Sequence, residues 1–265
     1  MENNRLAQSR GERCHMKIAL ALSGGAARGA FHLGAIEALL EKDFQIEAIS
    51  GSSIGALIGM SLSAGVAPRE QLQIYKSKEF RKAMKFSGFK RGLFHIDMDA
   101  KILKKLIPVK NIENGNIDMY ITTVDLYSGK IVRFCEGEAI SLCSASISVV
   151  PLFEPVSYRD YQLVDGGIMD NLPIEPIQKY GVPIVGIDLH PKEVGFKNSI
   201  FGISKRSAFL MWRASVEDQI EVCDYYITNQ KLKNYSLFSS KKLDELFEIG
   251  YQTVLNHSIL ECKDR

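Results

Sequence analysis

The run Gly51-Ser52-Ser53-Ile54-Gly55 constrains this chain more than any other stretch, because it sets one serine between two glycines where a short apolar strand gives way to an apolar helix. The strand covers 46–50, and the helix runs from Ile54 through Ala56, Leu57, Ile58 and Met60 towards Ala64. In so sharp a strand-to-helix turn the central residue takes strained backbone geometry, and glycines two positions to either side let neighbouring backbone pass without a Cβ clash. The spacing predicts a nucleophile elbow, with Gly51 and Gly55 in support and the Ser53 hydroxyl exposed at a helix N-terminus. Unpaired N–H groups and the helix dipole favour growing negative charge there. Glycine and serine also pack helices closely, so the motif needs companions.

Two companions exist. The loop Ser23-Gly24-Gly25-Ala26-Ala27-Arg28-Gly29 lies between a buried strand at 17–22 and an apolar helix at 30–42, so its successive backbone N–H groups aim into one pocket. Such a nest suits an oxyanion or a phosphate. A Walker loop is excluded by Ala30-Phe31, where Lys and Ser/Thr would be required, whereas Gly24-x-Ala26-x-x-Gly29 is one residue short of the dinucleotide fingerprint. The dinucleotide reading lacks an acidic residue at the end of the next strand, where Ser50 and Gly51 stand. Asp165-Gly166-Gly167 is the other companion, an aspartate at a strand end followed by glycines that admit other backbone. Alone it would read as an Asp-Gly turn.

The remaining pattern is that of a βαβα start and a parallel sheet. A helix from Pro68 to about residue 78 precedes a basic region at 79–110 that is helical at both ends with a Gly/Phe-rich middle. Strands at 118–126 and 130–135 form a hairpin around Tyr127-Ser128-Gly129. Thereafter come a small-residue helix at 138–148, a strand at 161–164, a helix at 173–180, a strand at 182–189 and a loop at 190–204. A helix at 205–222, a strand at 224–228 and a last helix at 239–257 complete the chain. Residues 1–15 read as a polar, disordered leader, with Met16 a second candidate start, and 16–258 as one domain.

Composition excludes several classes. The charge of +2 is unevenly spread: residues 76–110 hold eleven Lys or Arg and three Asp or Glu, against 22 and 28 elsewhere. Five cysteines (Cys14, Cys135, Cys143, Cys223, Cys262), odd in number and without C-x-x-C spacing, argue against a disulfide framework or a zinc site and for a reducing cytoplasm. The uncharged stretch 48–67 has glycines at the spacing of a transmembrane contact face, but its serines leave it only mildly apolar and a buried elbow helix accounts for it. The core at 17–22 is followed at once by glycines and Arg28, which argues against a signal peptide.

Taken together, the three motifs resemble the patatin-like phospholipase family, in the form of a bacterial member. The matching stretches are 22–29, 51–55 and 164–173, the last reading Val-Asp-Gly-Gly-Ile-Met-Asp-Asn-Leu-Pro. Further similarity lies in Arg91 to Phe94, in Ala145-Ser146, in Phe153 to Val156 and in Phe247 to Tyr251. The resemblance implies a three-layer α/β/α sandwich with a mainly parallel central sheet, and a Ser-Asp dyad that cleaves fatty-acyl esters of lipids without a metal or other cofactor. Ser53 and Asp165 are then catalytic, and the N–H groups of Gly24, Gly25 and Ala26 form the oxyanion hole. Arg28, Gly29, Gly51, Gly55, Gly166 and Gly167 support them, Arg28 as a partner that fixes the loop or meets an anion. Two departures stand out. Ala26 replaces the third glycine of the commonest form, which costs on the order of 1 kcal/mol if that position needs positive φ, and Val150-Pro151 replace Pro-Gly.

Other readings remain open: a soluble carboxylesterase or acyltransferase with a Ser-Asp-His triad, or a non-catalytic nucleotide-binding protein. Ser53, Asp165 and His190 follow the chain order of α/β-hydrolase triads, but the elbow follows only the second strand, earlier than in that fold. His15, His32, His95 and His257 are placed less well. Partners expected are a phospholipid or other fatty-acyl ester, and no nucleic acid. Residues 76–110 interleave Phe80, Phe86, Phe89, Leu93 and Phe94 with Lys82, Lys85, Lys90 and Arg91, as a peripheral contact with the inner membrane face would, or as core-capping aromatics beside solvated lysines.

Overall fold

The computed structural model describes residues 16–264 other than 89, 90, 193, 194 and 238; the leader expected at 1–15 lies outside them. The chain opens with β1 (Lys17–Leu22), α1 (Ala30–Glu41), β2 (Gln45–Ser52), α2 (Ile54–Ser63), α3 (Pro68–Lys76) and α4 (Lys78–Lys82). It continues through β3 (Met84–Phe86), β4 (Phe94–Ile96), α5 (Lys101–Leu106), β5 (Asp118–Asp125), β6 (Lys130–Phe134), α6 (Ala139–Ser146), β7 (Val156–Tyr158) and β8 (Tyr161–Asp165). β9 (Ile184–Ile187), α7 (Ile200–Ile220), β10 (Tyr225–Ile227) and α8 (Leu243–Leu255) finish it.

An eight-stranded sheet is built in the order β10-β9-β1-β2-β5-β8-β7, with β6 also paired to β5. Pairings from β10 through β5 are parallel, and those of β5 with β6, β5 with β8 and β7 with β8 are antiparallel. Burial on both faces follows from the period of two along β1. Ile18, Leu20 and Leu22 enter the larger core with Phe31, Ile36 and Leu39 of α1 and Leu246 of α8. Ala19 and Ala21 face a second core with Leu172, Ile174, Ile177 and Val216. The arrangement is the expected three-layer α/β/α sandwich with a mainly parallel sheet.

One register feature positions the site. β2 pairs with β5 as far as Ser52 opposite Thr122, and β8 pairs with β5 from Asp165 opposite Thr123. β6 pairs with β5 across both stretches. A strand has two edges, so β2 and β8 share the edge that β6 leaves free, and they meet end to end between Thr122 and Thr123. Both strands run towards that junction. The residue after β2, Ser53, and the last residue of β8, Asp165, are thereby brought together from positions 112 apart in the chain.

The structure departs from the sequence pattern in four places. The Gly/Phe-rich middle of the basic region is flanked by an antiparallel pair, β3 and β4, that the pattern did not announce. The segment Glu175–Tyr180 is a 3-10 helix and not α-helical, with Pro176, which lacks an N–H, near its start. α7 begins at Ile200 rather than 205, because Ser199 caps it by accepting from the Gly202 N–H at 3.1 Å. β7 is a short strand that the pattern did not announce.

In the basic region, Phe80 packs edge-on against Tyr75 at 4.9 Å and Phe94 lies between Phe86 and Phe153, while Lys85 is paired with Asp97 at 2.6 Å. Phe86 is 63% exposed, and Phe89 and Lys90 lie outside the described residues. Most of the described aromatics here are used in packing. Among the described residues no helix is long and apolar enough to cross a membrane.

α1 and α8 pack closely through two glycines. A Cβ at Gly34 would overlap the Phe247 carbonyl, and one at Gly250 would overlap that of Phe31. Gly34→Ala must push the helices apart, and we expect it to cost about 2 kcal/mol or more in urea unfolding, although alanine is the better helix former.

Candidate active site

The elbow exists as the glycines require. Ser53 has φ 54° and ψ −127°, a strained region for a non-glycine residue that persists only where surroundings hold it. A Cβ at Gly51 would stand 2.5 Å from the Ala56 nitrogen, and one at Gly55 would overlap the Leu22 carbonyl. The Ser53 N–H donates to Ser146 Oγ at 2.9 Å, and the Ser146 hydroxyl donates to the Thr122 carbonyl at 2.7 Å. Ser146, at the end of α6, thus ties the elbow to the strand junction.

Asp165 is buried beside it. Its Oδ1 accepts from the Gly167 N–H at 2.7 Å, and its own N–H donates to the Ser148 carbonyl at 3.1 Å. Burial pushes the carboxyl up to about 6, while hydrogen bonding from the Ser53 hydroxyl and the Gly167 N–H pulls the other way. The contact with Ser53 is loose, since Asp165 Oδ2 has no partner in close hydrogen-bond geometry among the described residues. Catalytic hydrogen bonds in ligand-free sites are commonly long and tighten on binding.

The loop after β1 is fastened on several sides. Ser23 Oγ accepts from the Leu189 N–H at 2.9 Å, and His32 Nε2 bonds the Ser23 carbonyl at 2.8 Å. Buried Arg28 donates from Nε to the Tyr235 carbonyl and from Nη1 to the Leu189 carbonyl, each at 3.0 Å. The Gly24 N–H, expected in the oxyanion hole, is instead occupied by Asn171, whose Oδ1 and carbonyl oxygen accept it at 3.1 and 3.3 Å. The N–H groups of Gly25 and Ala26 have no protein acceptor among the described residues. Gly25 has φ 155° and Ala26 φ 49°, so Ala26 carries the left-handed strain that its replacement of glycine made conditional, on the order of 1 kcal/mol.

Asn171 is the residue that sequence reasoning missed, although it stood within the quoted 164–173 motif. Because Oδ1 faces the Gly24 N–H, its amide nitrogen faces His190 Nδ1 at 3.4 Å. That assigns His190 as the Nε2–H tautomer. Burial, with Arg28 and Arg213 nearby and Asp188 opposing them, lowers the imidazole to about 4 and keeps it neutral. Its Nε2 is buried without a partner, and no hydrogen bond joins the ring to Ser53 or Asp165 among the described residues.

Ser53, Asp165, Gly25, Ala26, Asn171 and His190 line one cavity of about 60 Å³, closed further by Ile168, Trp212 and Leu237. That is room for a few water molecules. No group of three or more His, Cys, Asp or Glu among the described residues could hold a metal ion. A hydroxyl, a carboxylate and two free N–H groups around one small space are the parts needed to attack a carbonyl, accept a proton and hold an oxyanion.

An elbow serine at the carboxyl edge of a mainly parallel sheet defines the class of α/β/α proteins with a serine-based site. Residues 20–177 match the family model Patatin, patatin-like phospholipase. The chain belongs to the patatin-like phospholipase family. It is 31% identical over 183 residues to an uncharacterized NTE family protein of Mycobacterium bovis, covering 68% of this chain and 51% of that protein. It is also 31% identical over 175 residues to lysophospholipase NTE1 of Mycosarcoma maydis, covering 61% of this chain and 9% of the fungal protein. The chain therefore spans about half the length of the mycobacterial relative and a small part of the fungal one. Legionella pneumophila VipD shares the fold at a TM-score of 0.52 and 16% identity, over 94% of this chain and 67% of that structure.

The raised carboxyl carries a stability consequence. Both folded and unfolded Asp165 are protonated well below pH 4. As pH rises, the unfolded carboxyl ionises first, near 3.8, and the folded one only near 6. Folding stability is lost through that window, by roughly 3 kcal/mol in all. Asp165→Asn, which stays neutral, should be more stable than the natural protein at pH 8 and not at pH 3.5. Urea unfolding at the two pH values checks this, and an equal difference at both would count against a desolvated carboxylate.

Proposed function

We propose that this protein is a serine lipid acyl hydrolase of phospholipase A or lysophospholipase type, acting through a Ser53–Asp165 dyad. The observation that carries the proposal is the strained elbow serine facing a buried carboxylate of raised pKa, beside two unoccupied N–H groups. Ser53 Oγ attacks the ester carbonyl carbon while Asp165 accepts its proton, and the N–H groups of Gly25 and Ala26 hold the oxyanion. Collapse breaks the bond to the lyso-lipid or alcohol oxygen, which takes the proton from Asp165. Water, deprotonated by Asp165, then releases the fatty acid and restores Ser53. Gly51 and Gly55 admit the elbow, Gly166 and Gly167 admit the Asp165 turn, and Arg28 and Gly29 hold the loop. The fungal relatives named lysophospholipases support a lipid ester as substrate.

No cofactor enters this scheme. The placement we propose is cytoplasmic, with residues 76–110 making an electrostatic contact with the inner membrane face, since Phe80 and Phe94 are taken up in packing.

Ser53→Ala and Asp165→Asn should each remove nearly all esterase activity and leave the fold intact, and Ser53→Ala should lose labelling by a fluorophosphonate probe. Ser52→Ala is the control and should keep substantial activity. Loss in Ser52→Ala with retention in Ser53→Ala would overturn the elbow assignment, and no labelling of folded protein would favour a catalytically silent binding protein.

His190 carries its proton on Nε2, the nitrogen that a triad histidine uses to accept from serine, and this supports Asp165 as the base. With Asp165 alone, kcat/KM for a soluble ester should fall on the acid side with a midpoint near pH 6, and His190→Ala should retain activity within about tenfold. A loss in His190→Ala as large as that in Asp165→Asn, in folded protein, would mean a triad.

A further inference from the structure

α7 (Ile200–Ile220) has two apolar faces, and the described residues cover only one of them. Val216 is fully buried in the second core, and Trp212 lines the Ser53 cavity from the same side. On the opposite side stand Ile200, Ile203, Leu210 and Met211, exposed by 87, 47, 49 and 73%. At about 100° per residue these four fall within a stripe roughly 100° wide. Phe201, 80% exposed, and Phe196, 60% exposed, lie beside its start. A contiguous exposed apolar stripe of this kind marks a surface that meets a partner or a lipid phase. The stretch from Ile200 to Met211 runs along about 18 Å of helix, far more than a stray surface residue.

The charge around the stripe identifies what it meets. From Val194 to Val216 the sequence has Lys197, Lys205, Arg206 and Arg213 and no Asp or Glu, and the acidic residues of the helix start only at Glu217. Arg213 is spent inward, on Asp188 at 2.5 Å and Glu217 at 2.8 Å. Lys197 is exposed just before the helix and Arg206 flanks the apolar stripe, as basic residues beside an interfacial helix on anionic lipid do. No helix of the described residues is long and apolar enough to span a bilayer, so the stripe lies on a surface. Position completes the argument: Met211 points out and its neighbour Trp212 lines the catalytic cavity, so a bilayer on the stripe lies one helix thickness from Ser53.

We infer that the outward face of α7, with Phe196 and Phe201 at its edge, is the surface by which this protein docks on an anionic lipid bilayer. The inference rests on the lipid acyl hydrolase reading for its purpose, since docking there presents the cavity to ester lipids within the membrane. It places the apolar part of membrane contact on α7 and leaves the 76–110 region at most an electrostatic part.

Trp212 is the sole tryptophan of the chain, so its fluorescence reports binding without a label. Full-length Ser53→Ala protein, which leaves vesicles intact, is titrated with phosphatidylcholine vesicles with and without about one-third phosphatidylglycerol. Saturable binding is expected that is stronger with the anionic lipid. Adding Ile200→Glu and Phe201→Glu together, or Met211→Glu alone, should weaken it by at least about tenfold, whereas Phe86→Glu should not. The same α7 variants in a background with Ser53 should keep their rate on a soluble short-chain ester within about twofold, which shows that they fold, and should lose hydrolysis of vesicle lipid. Vesicle binding unchanged by the α7 substitutions, or lost only in Phe86→Glu, would overturn the proposal. So would a self-associating protein that binds no vesicles and becomes monomeric on those substitutions. If the natural protein cleaves neither ester nor lipid, the hydrolase reading fails, while the fluorescence titration still decides docking.

Discussion

The site depends on one edge of one strand. β5 offers the same edge to β2 up to Thr122 and to β8 from Thr123, so two chain segments that arrive from opposite directions end against each other. Hydrogen-bond register is fixed to the residue wherever strand faces are buried, because a slip of one would turn every side chain to the wrong layer. The meeting of Ser53 and Asp165 is therefore as accurate as the sheet itself. Ser146 reinforces the junction by accepting from the Ser53 N–H and donating to the Thr122 carbonyl, so the elbow is referenced to β5 and not to a mobile loop.

Around that junction the fold tolerates what elsewhere would be errors. Ser53 and Ala26 both hold positive φ, and Asp165 keeps a buried oxygen without a close partner. Each departure costs free energy of order 1–3 kcal/mol, and each leaves a group open to the cavity: a hydroxyl on its wall, an unoccupied N–H and a carboxyl of raised pKa. The charged groups nearby are handled in the opposite way. Arg213 is held by Asp188, Glu217 and the His190 carbonyl, with Tyr226 also donating to Asp188 at 2.6 Å. That network fastens α7 to the end of β9, while no cation lies against the Asp165 carboxyl among the described residues. A cation there would lower its pKa and weaken it as a base.

Much of this was legible in the residues. The elbow, the glycine loop and the Asp-Gly-Gly turn are local motifs whose geometry follows from missing Cβ atoms and strand-to-helix turns, and the βαβα start follows from periodicity. The Ser53–Asp165 encounter was legible only through the family resemblance, because it depends on two strands sharing an edge of a third and no local pattern encodes that. That the Gly24 N–H meets Asn171 was not legible for the same kind of reason: Asn171 reaches it from 147 residues away. The loop expected at 190–204 gave way to a helix from Ile200 because Ser199 caps it, and an apolar run without obvious amphipathicity hid a helix with two apolar sides.

That last feature bears on how a cavity of about 60 Å³ could widen for the lipid ester proposed as its substrate. The walls nearest the junction are sheet ends and the fastened glycine loop, which are rigid. The other walls include Trp212, Ile168 and Leu237, and of these Trp212 stands on a helix whose first turns carry exposed apolar side chains. Burying a side chain such as Ile or Phe is worth about 1.5–3 kcal/mol, so covering the outward stripe of α7 with an apolar phase offers enough free energy to offset a shift of Trp212. The inward face of the helix and its outward face are joined by one rigid backbone. A shift of that backbone would therefore move Trp212 and, with it, one wall of the space beside Ser53.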